Sequence, residues 1–113
     1  MRDSLDPALG VRAKFFRGLA DPSRLALLLT LRDGEKTVSM LSEVTGLPQS
    51  SVSNHLACLK DCGLVVNRQA WRHRYYRIAD DKILLLLQVT DQVVADHAQR
   101  LAACVNYQVS SET

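Results

Sequence analysis

The sequence has no long apolar run and no sign of a targeting segment. No uninterrupted apolar stretch is longer than residues 83–87, whereas a membrane-spanning helix needs about 20 apolar residues. The N-terminal stretch carries Asp3, Asp6 and Pro7 where a signal peptide would have an apolar core. We therefore expect a cytoplasmic protein with no membrane partner.

Catalytic motifs are also missing. There is no glycine-rich phosphate loop, no G-x-S-x-G nucleophile elbow and no pair of carboxylates in an apolar setting. The chain contains no internal repeat, low-complexity segment or linker, and its 113 residues are close to the commonest domain size. The sequence predicts one domain over residues 1–113 that is not an enzyme and needs no organic cofactor.

Cysteine is scarce, and the three present form an odd number that cannot all pair within one monomer. In a reducing compartment such cysteines are metal ligands, reactive thiols or small buried apolar groups. Cys58 and Cys62 are four residues apart, so in a helix they share a face one turn apart. Two thiolates in this position can hold a soft metal ion. Two alternatives are that each is a small apolar residue, or that His55 activates Cys58 as a redox-sensing thiol.

The net charge of +2 is too small to imply nucleic-acid binding, but the distribution of charge is informative. Residues 60–77 contain one acid, Asp61, whereas acids outnumber bases in residues 80–113. This middle segment is a candidate phosphate-facing surface. Its basic residues are Lys60, Arg68, Arg72, Arg74 and Arg77.

Two Asp-Pro pairs, at residues 6–7 and 21–22, predict the starts of two helices, because Asp is a good N-cap and Pro suits the first helical position. A short helix from Ser39 ends at Gly46, and another runs from Gln49 to Asp61. Two short helices joined by a glycine-containing turn predict a helix-turn-helix over residues 39–62. The first helix has an apolar stripe of Leu9, Ala13, Phe16 and Leu19, and the second carries Leu25, Leu28, Leu29 and Leu31. In the helix from Gln49 to Asp61, we expect Val52, Leu56 and Leu59 to face inward.

The rest of the chain predicts a hairpin and a long helix. Two short extended runs over residues 64–78 indicate a β-hairpin. Residues 80–104 predict a helix with apolar residues at near-heptad spacing, which favours pairing with a second copy of the chain. The fold class is therefore mainly α (α+β): a winged helix-turn-helix with a β-hairpin wing and a C-terminal dimerisation helix. The apolar residues of that helix are Ile83, Leu86, Leu87, Thr90, Val94, Ala98 and Leu101.

Polar residues crowd the start of the second short helix, which would be the recognition helix. Gln and Asn can make bidentate contacts to adenine, and Ser suits bases or phosphates. The alternative is that these residues cap the helix or are merely solvated. In the wing, strand alternation does not tell which face meets DNA. The predicted DNA contacts are Gln49, Ser50, Ser51, Ser53, Asn54 and His55 in the helix, and Arg72, His73 and Arg74 in the wing.

Three segments of the chain together resemble the ArsR/SmtB family of metal-responsive repressors. They are residues 19–24 (Leu-Ala-Asp-Pro-Ser-Arg), 51–56 (Ser-Val-Ser-Asn-His-Leu) and 59–65 (Leu-Lys-Asp-Cys-Gly-Leu-Val). The resemblance extends from about Arg12 to Leu101. Within the family, the cysteines look like those of the CmtR type, cadmium and lead sensors with ligands on the recognition helix. The resemblance implies a homodimer that represses a metal-efflux or resistance operon and leaves its double-stranded operator when Cd(II) or Pb(II) binds Cys58, Cys62 and Cys104.

The metal and its ligands leave alternatives open, and the sequence departs from the family pattern at two positions. Three thiolates also suit Zn(II), Hg(II) and As(III), and His55 or His97 could supply a fourth ligand. The ligand patterns of two other sensor types in the family are missing from the third and the last helix. Pro48 stands where a capping Ser or Thr is expected, and Trp71 occupies the wing tip, where glycine is common.

Overall fold

The computed structural model describes residues 6–103. The chain divides into two units, one ending at Asp81 and the other starting at Lys82. The elements are α1 (Pro7–Ala20), α2 (Pro22–Leu31), α3 (Val38–Thr45), α4 (Gln49–Asp61), β1 (Val65–Ala70), β2 (His73–Ile78) and α5 (Asp81–Asp96). This order of elements confirms the predicted winged helix-turn-helix.

The helix starts follow from local capping. Asp6 and Asp21 accept hydrogen bonds from the N–H groups of Ala8 and Arg24 at 2.9 and 3.0 Å, with proline next in the chain. Thr37 caps α3, because the Thr37 hydroxyl accepts a hydrogen bond from the Met40 N–H at 3.2 Å. The helix therefore begins at Val38, one residue before the predicted start at Ser39. In α4 the cap is Pro48, and no side chain satisfies the first N–H groups there.

Glycine ends α3 at the turn of the helix-turn-helix. Gly46 has φ +78°, a left-handed conformation that costs a side-chain-bearing residue energy, and its N–H donates to the Ser42 carbonyl at 2.9 Å. This turn sends the chain through Leu47 and Pro48 into α4.

The wing is an antiparallel pair that runs from Val65 opposite Ile78 to Ala70 opposite His73. A third stretch of backbone joins it, because Lys36 and Tyr76 exchange two N–H to carbonyl hydrogen bonds of 3.0 and 2.8 Å. This bridge was not predicted from the sequence. It ties the wing to the residues that lead into α3.

The core of the first unit joins α2, α3 and α4 to the start of the wing. The predicted inward face of α4 is confirmed, but the apolar residues predicted for α1 and α2 match the core only in part. Phe16 is 57% exposed, and Leu27, which was not predicted, is fully buried while Leu25 and Leu29 are half-buried. Residues 25–29 of α2 are all apolar, so no polar residue within this run marks the outer face of the helix. The buried residues are Leu27, Leu28, Leu31, Leu41, Val52, Leu56, Leu59, Leu64, Val65 and Ile78.

In the second unit, α5 is apolar on two sides. Ile83 and Leu87 are buried, whereas Leu85, Val89 and Val93 form an exposed row at four-residue spacing. The predicted helix over residues 80–104 is interrupted: a turn at His97 separates α5 from a helical segment at residues 98–103. No Pro or Gly marks this turn in the sequence. Cys104 lies outside the described residues.

Within residues 6–103, no helix combines the length and the apolar character needed to cross a lipid bilayer.

Candidate nucleic-acid interface and thiol face

The recognition helix α4 has three faces that its 3.6-residue period separates cleanly. The buried face carries Val52, Leu56 and Leu59. The exposed face carries Gln49, Ser50, Ser53, Asn54, Ala57, Lys60 and Asp61. The third face, which we call the thiol face, is half-buried; it carries Ser51, His55 and Cys58, and it continues to Cys62 at the C-cap of the helix.

The exposed face has the chemistry expected of a major-groove reader. The amides of Gln49 and Asn54 offer both donors and acceptors, and the Ser50 and Ser53 hydroxyls can do either. Gln49 also donates from Nε2 to the Ser39 hydroxyl at 3.3 Å, which links the starts of α3 and α4. The predicted contacts Gln49, Ser50, Ser53 and Asn54 therefore share one exposed surface.

The other two predicted contacts on this helix, Ser51 and His55, lie on the thiol face. His55 also lies within electrostatic range of Asp21, at the junction of α1 and α2. The pKa of Asp21 is lowered chiefly because the Arg24 N–H donates to its carboxylate, and also by electrostatic attraction to Arg24 and His55. The predicted DNA contacts of α4 are thus divided between two faces.

Helix α1 lies against the second thiol. A Cβ atom added at Gly18 would stand 3.3 Å from the Cys62 Sγ and 3.4 Å from the Leu64 Cδ1, so a larger residue at this position would crowd the thiol. A hollow of about 300 Å³ opens beside it, lined by Val11, Lys14, Phe15, Asp61 and Cys62. Cys58 and Cys62 are both free and half-buried.

Arg24 hydrogen-bonds the C-terminal end of α1, the part of the helix that lies beside the Cys62 thiol. Its guanidinium donates from Nε to the Gly18 carbonyl at 3.0 Å and from Nη2 to the Arg17 carbonyl at 2.8 Å. These carbonyls end α1 and would otherwise lack helical partners. The role of Arg24 was not predicted, although the residue closes the Asp-Pro-Ser-Arg segment. The backbone beside Cys62 is therefore held from α2.

The chemistry of the two thiols fits a soft metal ion, but two ligands do not complete a site. Within residues 6–103, no cluster of three His, Cys, Asp or Glu side chains could hold a metal ion. His55 therefore does not form a three-ligand set with Cys58 and Cys62 in this arrangement. Within the described residues, the Cys58–Cys62 pair therefore has no third protein ligand.

One base of the predicted phosphate-facing segment is already paired. Arg68 donates from Nε to Glu35 Oε2 at 2.9 Å and from Nη2 to Glu35 Oε1, and its guanidinium lies 4.9 Å from the centre of the Tyr75 ring. The hydrogen bonds from Arg68 hold the pKa of Glu35 below its ordinary value of 4.5. Arg68 thus braces the wing against the segment before α3.

This pair predicts an acid-sensitive contribution to stability. Because the folded-state pKa of Glu35 is depressed, the contribution is present above the ordinary value of 4.5 and is lost as pH falls through the lower folded-state value. We expect Glu35→Gln to lower the free energy of unfolding slightly at neutral pH and to match the parent chain in acid. Urea denaturation across this range measures the difference, with Asp33→Asn as a nearby charge-matched control. A Glu35→Gln deficit that persists unchanged in acid would contradict the assignment.

Two other bases of this segment, Arg72 and Arg74, lie near the tip of the wing with His73, whereas Lys60 is on α4 and Arg77 is near the base of the hairpin. Arg72, His73 and Arg74 are exposed, and they line a cleft of about 390 Å³ together with the first residues of α3. Arg74 donates from Nε to the Gln69 Oε1 at 3.3 Å, across the register pair. The cleft is a concave basic surface beside the helix-turn-helix, suited to a phosphate backbone.

Comparison with known proteins identifies the family. The family model described as bacterial regulatory protein, arsR family, matches residues 21–66. A probable mercury resistance operon repressor from Streptomyces lividans is 40% identical over 81% of this chain and 74% of its own length. The chain belongs to the ArsR family of bacterial regulatory proteins.

Solved structures agree with this assignment. The homodimeric winged helix-turn-helix DNA-binding domain of a possible ArsR-family transcriptional regulator from Mycobacterium bovis is 33% identical, with a TM-score of 0.75 over 88% of this chain and 91% of that one. The cadmium metal-sensor CMTR from Mycobacterium tuberculosis is 43% identical, with a TM-score of 0.64 over 73% of this chain and 85% of that one. The family and fold are those of transcriptional regulators, not of enzymes, as the sequence predicted.

Proposed function

We propose that this protein is a cytoplasmic homodimeric repressor that leaves its operator DNA when a thiophilic metal ion binds Cys58, Cys62 and Cys104. The observation that carries the proposal is that α4 has two different surfaces besides its buried face. A polar exposed face and a face with two thiols belong to the same rigid helix, so a change of position imposed at one face moves the other.

The proposed DNA surface consists of the exposed face of α4 and the basic cleft at the wing. Gln49, Ser50, Ser53 and Asn54 would meet base edges, while Arg72 and Arg74 would meet phosphates. Ser51 would act at the edge of the surface or as part of the thiol face. His73 would line the basic cleft beside Arg72 and Arg74, and His55 would lie on the thiol face.

The exposed apolar row of α5 supports a homodimer. Leu85, Val89 and Val93 repeat along one side of a helix, and such a row in water favours association with another apolar surface. A second copy of the chain offers an identical row, and the relative from Mycobacterium bovis is described as homodimeric.

Cd(II) or Pb(II) is the proposed inducer. Cys58 and Cys62 supply two soft ligands, Cys104 would supply the third, and the relative CMTR is a cadmium metal-sensor. The similarity to a probable mercury resistance operon repressor keeps Hg(II) among the inducers to test, beside Zn(II) and As(III). A sulfur-to-metal charge-transfer band in the ultraviolet, saturating at a fixed ratio of metal to dimer, would identify thiolate coordination. Release of DNA by peroxide and not by metal would favour the redox-sensing alternative.

The two parts of the DNA surface predict different mutant phenotypes. Arg72→Ala or Arg74→Ala should weaken binding to all duplexes alike and reduce the salt dependence, because each removes a phosphate contact. Asn54→Ala should instead lose discrimination at one base position, at a cost of about 1–3 kcal/mol. Fluorescence anisotropy with the duplex upstream of the chain's own gene, against scrambled duplexes at several salt concentrations, measures both effects.

Lys82→Ala, a charge-matched change in the second unit, serves as the control and should leave sequence discrimination unchanged. Affinity that does not depend on salt, or wing variants that bind as tightly as the parent chain, would contradict the proposed surface.

A further inference from the structure

The tip of the wing holds a bulky residue in an unusual conformation. The turn between Ala70 and His73 consists of Trp71 and Arg72, and Trp71 has φ +58°. Among the described residues it is the one non-glycine residue with positive φ, a conformation that glycine adopts at little cost and a bulky side chain rarely adopts. Trp71 is also 81% exposed.

Neighbouring side chains hold this turn in place. Gln69 donates from Nε2 to the Trp71 carbonyl at 3.1 Å, and Arg74 in turn donates to the Gln69 amide oxygen at 3.3 Å. The Arg72 guanidinium lies over the indole, 4.6 Å from the ring centre. The indole and the guanidinium are thus stacked on one another and exposed to solvent together. Backbone strain of this kind persists where the surroundings enforce it, and it concentrates at functional sites.

We propose that the Trp71–Arg72 pair is a DNA-contacting tip, in which the guanidinium meets a phosphate and the indole packs against the adjoining sugar. This inference rests on the proposed DNA-binding function and adds a contact that the basic residues alone do not supply. Stacking with the indole restricts the guanidinium before DNA arrives, which lowers the entropy lost when the contact forms.

The surroundings of Trp71 favour DNA over a protein partner. Residues 70–79 contain Arg72, His73, Arg74 and Arg77 but no acid. No other large apolar side chain of the described wing is exposed, so the wing itself carries no apolar patch of the kind that docks proteins. A single aromatic ring within a basic surface suits the alternating sugars and phosphates of a nucleic-acid backbone.

The indole provides its own probe, because Trp71 is the only tryptophan of the chain. With a short mixed-sequence duplex at low salt, we expect the tryptophan emission to change and its quenching by acrylamide to fall as the protein becomes saturated. Raising the salt until the DNA dissociates should restore the free-state quenching. A quenching constant that stays the same while anisotropy of labelled DNA shows full binding would overturn the proposal. If the tryptophan emission or its quenching changed with protein concentration in the absence of DNA, the indole would belong to a self-association surface. That result would also overturn the proposal.

Substitutions of Trp71 distinguish the loss of a DNA contact from the loss of folding. Trp71→Gly relieves the positive φ, so its thermal midpoint should equal or exceed that of the parent chain while its DNA affinity falls about tenfold. Trp71→Phe keeps an aromatic ring and should keep most of the affinity. Trp71→Gly with unchanged affinity would overturn the tip contact and leave the rest of the DNA surface intact. Failure of the parent chain to bind any duplex would overturn the proposed function as well.

Discussion

Cys62→Ser is expected to abolish cadmium-dependent release of DNA while leaving the fold and the DNA affinity of the metal-free protein intact. Serine keeps the size of the side chain beside Gly18, where the thiol packs against α1. It cannot supply the thiolate that a soft metal ion selects. Because Cys62 lies on the thiol face and not on the exposed face of α4, the variant should still present the residues of the exposed face that we propose contact DNA.

The measurement is DNA anisotropy titrated with Cd(II), compared for the parent chain, Cys58→Ser, Cys62→Ser and Cys104→Ser. Ser51→Ala is the matched control, since Ser51 shares the thiol face but offers no soft ligand. We expect a loss of response in all three cysteine variants and a normal response in the control. Coordination requires deprotonated thiols, so the parent response should also weaken as pH falls. If Cys104→Ser retained the full response, the third ligand would have to be sought elsewhere.

Substitutions at two neighbouring residues of α4 should have different effects, one on the stability of the fold and the other on DNA affinity. Leu56 is fully buried, and Leu56→Ala should lower the free energy of unfolding by about 2–5 kcal/mol through lost burial and a residual cavity. Ala57 is exposed on the face proposed to enter the major groove. Ala57→Glu should keep the fold, because Glu is a good helix former, but should lower DNA affinity about a hundredfold by setting a carboxylate against the phosphates.

Urea denaturation and DNA anisotropy on the same two variants test this separation, with Ala57→Gln as an uncharged control of similar size. The expected pattern is a stability loss confined to Leu56→Ala and a charge-dependent affinity loss at residue 57. Ala57→Glu that binds DNA like Ala57→Gln would show that this face of α4 does not enter the groove.

The sequence predicted the elements of this fold because their signals are local. Asp-Pro pairs at residues 6–7 and 21–22 open helices through contacts with the next few residues, and Gly46 marks the turn between α3 and α4. The buried face of α4 followed from its spacing of Val52, Leu56 and Leu59. The wing followed from two short extended runs.

The features that were missed depend on residues far apart in the chain. Nothing near Arg68 reveals its pairing with Glu35, and nothing near Cys62 reveals that Gly18 of α1 lies beside its thiol. Such contacts arise only when the elements pack. The placement of His55 with the thiols follows from helical period, but its proximity to Asp21 does not. The turn at His97 has no signal in the sequence.

The most direct test of the proposed coupling is the affinity for Cd(II) measured with and without saturating operator DNA. If metal and DNA favour different positions of α4, each must weaken the other by the same factor, and a hundredfold effect corresponds to about 2.7 kcal/mol. We expect the DNA-bound dimer to bind Cd(II) more weakly by the factor with which Cd(II) weakens DNA binding. Equal Cd(II) affinities for the free and the DNA-bound protein would contradict the mechanism, since a ligand without preference between two states cannot shift their populations.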